Sequence, residues 1–539
     1  MIPDRMGNIG NTVAYGQITM KGSMNPSDTL NGNMQASHPF SLVLPLQDNL
    51  HLVASLKATG KTADLTGAVK LIKGNVECTT CHNPHVQAKD LVSQNFLVKD
   101  SSSGQLCLAC HDPTRQESGK VNPLADWSTS AHGLSAAKIS PQAQLGSYAT
   151  VAADACISCH TSHNAVGTAR LLRGPNEQDC LTCHNGGANI SPIVPYSNVA
   201  SEYTLPKVGH PFPTATNPHD DAEAVLLNNN RHATCVDCHN AHGSEQVQIF
   251  PGAPLIRVSQ KNVAGINASD GATLLTPAVN QYENCLRCHG SKQTQAAPVA
   301  DGFGYLPQRI LPAVTPYDLH LQFGVASASS HPVMQSWNSS VSLPQPSLLT
   351  FMLKLDGTNS NRSMGTGSRI LCTDCHNSDD NREFGGPGAN GPHGSIYSHI
   401  LERRYVFSQA PAAGQLISNL ALTLNPDLGP TGQYAMCAKC HDIANQIVKN
   451  TSWNHHGDHI NAGMSCSVCH TAHGVGASNG TISGERLVNF DLNVVASNGG
   501  LPISYNHGPN TCVLVCHMTA HNPNGTVTAA GLRSPGIRR

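Results

Sequence analysis

Charge is scarce in this sequence. Asp, Glu, Lys and Arg make up 12% of its 539 residues, about half the ~25% usual in soluble domains. The net charge is −2, which gives no electrostatic case for nucleic acid or a membrane surface as partner. Aromatics are scarcer still, at 4% with 10 Phe and 3 Trp, too few to fill the core of so long a chain. No run approaches the ~20 apolar residues that span a bilayer. Neither a serine-triad constellation nor a phosphate-binding loop is present. What is abundant is Gly, 48 residues, and Pro, 34, which predicts many turns, short helices and irregular backbone.

The cysteines carry the chemistry. All twenty occur in pairs, and a histidine follows every pair at once. Nine read Cys-x-x-Cys-His: Cys78/Cys81/His82, Cys107/Cys110/His111, Cys156/Cys159/His160, Cys180/Cys183/His184, Cys235/Cys238/His239, Cys285/Cys288/His289, Cys372/Cys375/His376, Cys437/Cys440/His441 and Cys466/Cys469/His470. The tenth, Cys512/Cys516/His517, has one extra residue between its thiols. Zinc sites and disulfides also use paired cysteines, but neither calls for the adjacent histidine. With 29 His in the chain, about one residue in nineteen, ten such neighbours by chance are on the order of 10⁻¹³. The pattern is the attachment signature of c-type haem, two thioethers with an axial histidine beneath the iron. It predicts ten haems c, which would supply the missing apolar volume.

The remaining histidines repeat as well. The chain reads as five two-haem repeats, each an upstream His, Cys-x-x-Cys-His-x-x-His, a connector containing Leu, Val or Arg, and a second motif. The boundaries predicted are 1–75 for a haem-poor segment contributing His38, then 76–125, 126–200, 201–310, 311–450 and 451–539 for the five repeats. The upstream candidates for distal ligands are His38, His132, His210, His331 and His459. The downstream ones are His85, His163, His242, His393 and His473. In the fourth repeat Asp379 holds the expected histidine position and His393 is the nearest replacement. A histidine three residues after a proximal one cannot reach the far face of the same iron, so it is expected to reach a neighbouring haem and draw two haems together. Within His455, His456 and His459 the choice is open. His507, His521 and His232 are held in reserve, and His51, His219, His320 and His399 are read as bystanders.

These motifs resemble the doubled-motif multihaem c-type cytochromes. The segments CSVCHTAHG (466–474), RLVNFDLNVVASNG (486–499) and CTDCHNSDD (372–380) with GPHGS (391–395) look like those of the large exported decahaem cytochromes of metal-reducing bacteria. The resemblance covers about residues 30–525. It implies an electron conduit in the periplasm, at the outer cell surface or in extracellular filaments of stacked haems. The departures are at Asp379 and Cys512.

The expected fold is mostly irregular, with short α-helices and minor β, holding an elongated array of stacked haems without separate domains. Strands are expected at 41–47 (SLVLPLQ) and 51–58 (HLVASLKA), and in the haem-poor stretch 290–371. Nineteen non-proximal histidines for ten positions predict bis-histidine, low-potential haems and electron transfer rather than catalysis. The alternative is an oxidoreductase with an open catalytic haem, best placed at Cys512/Cys516. Partners expected are other redox proteins, extracellular electron acceptors and copies of the same chain in a filament, with no nucleic acid. Location is expected to be extracellular or outer-surface, the periplasm being the alternative. The first residues lack the basic and apolar regions of a secretory signal, so removal of a leader is expected. Intracellular residence with unmodified thiols is the competing reading. The oxygen-rich run Asp356–Asn361 is read as a solvated turn, with Ca²⁺ as the alternative.

Overall fold

A computed structural model describes Ser37, His38 and the chain from Val69 to Ala529 outside connecting segments, the longest being 211–232, 291–304, 337–346 and 406–431. The stretches 41–47 and 51–58, with His51, His219, His232, His507 and His517, lie outside the described residues. Regular structure is sparse, as the Gly and Pro content predicts. Among the described residues the longest helix is Gln281–His289, nine residues. Several of the other helices are short turns sitting on the Cys motifs, such as Cys78–Cys81 and Cys235–Cys238. None is long and apolar enough to cross a membrane.

By backbone contacts the chain falls into two compact bodies. One comprises Met1–Ser197 with Asn240–Gln248, the other Asn198–His239 with Ile249–Arg539. The division lies beside the boundary read between the second and third repeats, and the loop after His239 folds with the first body.

Apolar burial is divided among small clusters. In the first body Val69 and Val98 pack with Leu71, Val76 and Leu106. In the second, Ile266, Tyr282, Leu286, Phe323 and Phe384 form one cluster, and Tyr434, Ile443 and Ile460 another. A third contains Val468, Val488, Phe490, Val495 and Leu514.

Strands are short two-stranded ribbons, except for one five-stranded antiparallel sheet at the C-terminal end. Its strands are β1 (Val495–Ala496), β2 (Ser504–Asn506), β3 (Thr511–Cys516), β4 (Thr519–His521) and β5 (Val527–Ala529). The 290–371 stretch does carry strands, Phe351–Leu353 paired with Asn359–Ser363. Asp356 sits in the turn between them, its carboxylate accepting from the Thr358 amide at 2.9 Å and hydroxyl at 2.7 Å. The Asp356 run is therefore a hairpin turn closed by its own side chains.

Candidate haem-binding sites

In eight of the nine regular motifs the cysteines span one tight turn, which at Cys180 and Cys183 ends the six-residue helix Gln178–Cys183. The histidine amide donates to the first cysteine's carbonyl at 2.8–3.0 Å in His82, His111, His160, His184, His239, His376, His441 and His470. A turn brings positions i, i+3 and i+4 to one face, so both thiols and the imidazole leave the same side. The residue before the second cysteine often caps the turn. Thr80, Asp237 and Asp374 accept from the amide of Glu77, Thr234 and Leu371 at 2.9, 2.8 and 2.7 Å.

The ninth regular motif is seated differently. Cys285, Cys288 and His289 occupy the second half of the nine-residue helix Gln281–His289, so Cys288 lies in the last turn of a longer element rather than on a turn of its own. The helix starts early because Asn280 and Glu283 form a reciprocal cap, the Glu283 carboxylate accepting from the Asn280 amide at 3.0 Å. Helical spacing still puts Cys285, Cys288 and His289 on one face. Cys288 is half-buried, and the structure holds it as a thiol outside any disulfide. Its expected thioether is therefore a proposal that rests on the motif and on this shared face.

The connectors have a purpose the sequence reading did not find. Nδ1 of His82, His160, His376 and His470 donates to the carbonyl of Asn95, Arg170, His399 and Arg486 at 2.8–3.0 Å. The next residue in each case is left-handed: Phe96 at φ 53°, Leu171 at 54°, Ile400 at 54° and Leu487 at 62°. The residue after that, Leu97, Leu172, Leu401 or Val488, forms a β-bridge back to the histidine. The third repeat reaches the same end differently, His239 donating to Ser259 O at 2.8 Å. Tying Nδ1–H to a carbonyl fixes the tautomer and turns the Nε2 lone pair outward, the arrangement typical of metal-ligating histidine.

The upstream histidines are anchored alike. Nδ1 of His132, His210 and His331 donates to the carbonyls of Ala241, Pro392 and Ala472, and each carbonyl immediately precedes a downstream candidate, His242, His393 or His473. The His38 amide donates to Ser162 O, just before His163, at 2.8 Å. These four upstream histidines are thus held by the loop of the following repeat.

Imidazoles then meet in pairs. In the first body His82 faces His163 with ring centroids 6.1 Å apart, His111 faces His38 at 6.4 Å, His160 faces His242 at 6.1 Å and His184 faces His132 at 6.1 Å. In the second, His239 faces His393 at 6.0 Å, His289 faces His210 at 6.5 Å, His376 faces His473 at 5.9 Å and His470 faces His456 at 6.3 Å. His459 faces His521 at 6.0 Å. A metal–imidazole bond of about 2 Å plus roughly 1.1 Å from nitrogen to ring centre, doubled, gives about 6 Å for two trans-axial rings. A haem iron fits between each pair. Among the described residues no three His, Cys, Asp or Glu converge as a metal cage, so zinc has no comparable site there.

Comparison with known proteins agrees. The family model described as the doubled CXXCH motif matches residues 71–116 and 149–189. The chain is similar to the multiheme cytochrome MtrA of Shewanella baltica (strain OS185), 25% identical over 247 residues, which is 42% of this chain and 58% of that protein. The two matched segments are those of a doubled-motif multihaem c-type cytochrome. Its match spans only 58% of that relative's length. No solved structure matches.

In this cytochrome burial lowers the pKa of His160, His210, His239, His376 and His470 among the paired imidazoles. It is the main cause holding His289 and His441 down at about 4 and His456 and His473 at about 3, with neighbouring histidines adding to it. His331 is one of the neighbours acting on His441, the second motif histidine of its own repeat, as His111, His184 and His289 are for His38, His132 and His210. Burial also pushes the Cys238 and Cys440 thiols up to about 12, unsuited to thiolate chelation but compatible with thioether formation. None of the twenty cysteines is in a disulfide.

Three histidine positions turn out differently from the rest. His85 is exposed, and among the described residues no imidazole faces it. His456, left open by the sequence, faces His470. His521, held in reserve, faces His459. Their shared signal was proximity to the last two motifs, too weak to rank them. Of the bystanders, His320 Nε2 donates to Ala268 O at 2.8 Å, and His399 contributes the carbonyl that anchors His376.

Proposed function

We propose that this cytochrome is an electron conductor carrying ten c-type haems, nine on the regular motifs and one on Cys512/Cys516, each with two histidine ligands. The observation that carries this is the row of facing imidazole pairs at 5.9–6.5 Å. Bound haem supplies the Fe(II)/Fe(III) couple. The chain's residues do the rest: backbone carbonyls orient His82, His160, His239, His376 and His470, burial favours the neutral form of the buried imidazoles such as His289 and His473, and paired ligation leaves no coordination position for a substrate. Bis-histidine ligation without methionine favours low potentials.

The backward sharing of ligands supports stacked haem pairs. His163, His242, His393 and His473 each sit close to one motif histidine in sequence and face another. We place the protein outside the cytoplasm, in extracellular electron transfer between redox partners, because thioether attachment follows export in the systems its motifs resemble. The finer form of the reading is a filament of identical chains, supported by the low surface charge and by exposed His85, an imidazole available to a second copy.

Intact mass tests the haem count. Ten attached haems add roughly 6 kDa to the 56.8 kDa chain, and a smaller addition removes the proposal for the missing site. Electron microscopy of the native protein tests assembly, where monodisperse particles alone would remove the filament.

A further inference from the structure

Charge is scarce in this chain, yet seven charged side chains meet, buried or nearly so, inside the second body. Lys439, Glu402 and Arg403 are fully buried, which such residues almost never are unless paired. Glu402 takes Lys439 on one carboxylate oxygen at 2.7 Å and Arg403 on the other at 3.1 Å. Two cations thus share one carboxylate. Arg403 also donates to Leu353 O, and Lys439 to Asp374 O at 2.5 Å. The Lys439 ammonium lies 3.5 Å from the centre of the buried Phe384 ring, where a charge is screened little. Beside these, Arg362 binds Asp374 at 2.9 Å and Glu383 at 3.0 Å, and Glu383 binds Arg257 at 2.5 Å. That second group is balanced, two cations against two carboxylates. Over the seven there are four positive charges and three negative, net +1, opposite in sign to the chain's −2.

The two motifs of the fourth repeat put this charge where it is. Asp374 is the residue before the second cysteine in Cys372–Cys375, and Lys439 holds the same position in Cys437–Cys440. The Lys439 side chain reaches from one motif to the other, and its charge acts on both second cysteines, Cys375 and Cys440. Glu402 and Arg403 come from the connector, where the Glu402 amide donates to Cys375 O at 2.9 Å. Thioethers form at the porphyrin edge opposite its two carboxylates, so a charge held between motif cysteines lies away from them. Reduction lowers the charge of a haem by one. A buried positive charge nearby therefore favours the reduced form.

We infer that this charge raises the reduction potentials of the two haems of the fourth repeat, on Cys372/Cys375 and Cys437/Cys440, with Lys439 as the residue that sets them. This rests on the reading of both cysteine pairs as haem sites, so the masses of the peptides that carry them come first. A peptide without its haem overturns the haem reading of that motif and the inference with it. Whole cytochrome with both haems is then titrated reductively while its spectrum is recorded. Lys439→Gln, which leaves Glu402 paired with Arg403, is expected to shift the absorbance of two haems to lower potential. Glu402→Gln, which leaves two cations without their carboxylate, is expected to shift the same absorbance to higher potential. Lys439→Arg is expected to leave it in place. A loosened fold would move both Gln variants in one direction. Shifts of the same sign, or none, therefore overturn the inference while leaving the haem sites intact. Should either variant fail to accumulate, Arg403→Gln takes its place: it removes the other cation and is expected to lower the same potentials, a rise or no change overturning the inference.

Discussion

Asp379 is where the repeat loses a histidine, and the structure shows what took its place. Lys207 reaches Asp380 at 2.6 Å, Glu202 at 2.9 Å and Asp379 at 3.5 Å. Glu202 is fully buried and also accepts from the Ser378 hydroxyl at 2.5 Å and the Ala389 amide at 3.0 Å. Asp379 accepts from the Ile396 amide at 3.1 Å, which helps fix the 391–396 loop that carries His393. Removing one partner of a buried ion pair is far more costly than the pair is worth. Lys207→Ala is therefore expected to destabilise the second body by about 3 kcal/mol, read by denaturant unfolding; a change within about 0.5 kcal/mol, as for an ordinary surface site, would show that the cluster is not structural. A second residue-scale effect is at Asp179, next to Cys180. Burial raises its carboxyl from 3.8 to about 6, and among the described residues its Oδ2 has no hydrogen-bond partner. Because the folded value lies above the unfolded one, the stability it contributes is full at acid pH and is lost as pH rises through about 6. An extra positive charge on a neighbouring oxidised iron would lower that value and reduction would restore it. One haem potential should fall as pH rises through this range, and Asp179→Asn should flatten it; a native protein whose potentials are all flat between pH 5 and 7 would contradict this.

The connector is the element that most clearly separates what the sequence disclosed from what it withheld. A connector containing Leu, Val or Arg stood out as recurring, but composition could not say why. The reason is geometric: a left-handed residue between a carbonyl that accepts Nδ1–H and a residue that bridges back to the same histidine. Left-handed backbone costs a non-glycine residue roughly 1–2 kcal/mol, so Phe96, Leu171, Ile400 and Leu487 give no propensity signal for it. Proline fixes φ near −65° and cannot adopt the 54° of Leu171. Leu171→Pro is expected to cost about 3 kcal/mol or more and to disturb the His160 site, while Leu171→Gly stays within about 1 kcal/mol, both followed by thermal unfolding and the haem spectrum. Equal effects would remove the role assigned to this turn. The cysteine motifs, by contrast, were fully legible as motifs, because covalent attachment demands a fixed spacing. Their local setting was less so, since the spacing is the same whether a motif is a lone turn or, as at Cys288, the end of a longer helix. The candidates His163, His242 and His473 were nominated from their recurring offset; their facing partners could not be, since these come from another repeat. The last site was least legible. Cys512 and Cys516 lie on a strand, and no local pattern announces it.

Among the described residues, facing imidazoles are paired backward along the chain. The downstream histidine of each later repeat faces the first motif histidine of the repeat before it, and each upstream histidine from His38 to His210 faces the second motif histidine of its own repeat. Among the described residues the series changes at its ends: His85 of the first repeat is exposed, and in the last repeat His456 faces His470 and His459 faces His521. The proposed conductor requires that every iron hold two imidazoles and that none keep an open position. The most direct measurement is carbon monoxide binding to the fully reduced cytochrome, with its spin state recorded before addition. Ten low-spin haems that bind no carbon monoxide are the predicted result; a high-spin haem, or one equivalent of carbon monoxide bound by the unmodified protein, would contradict the account.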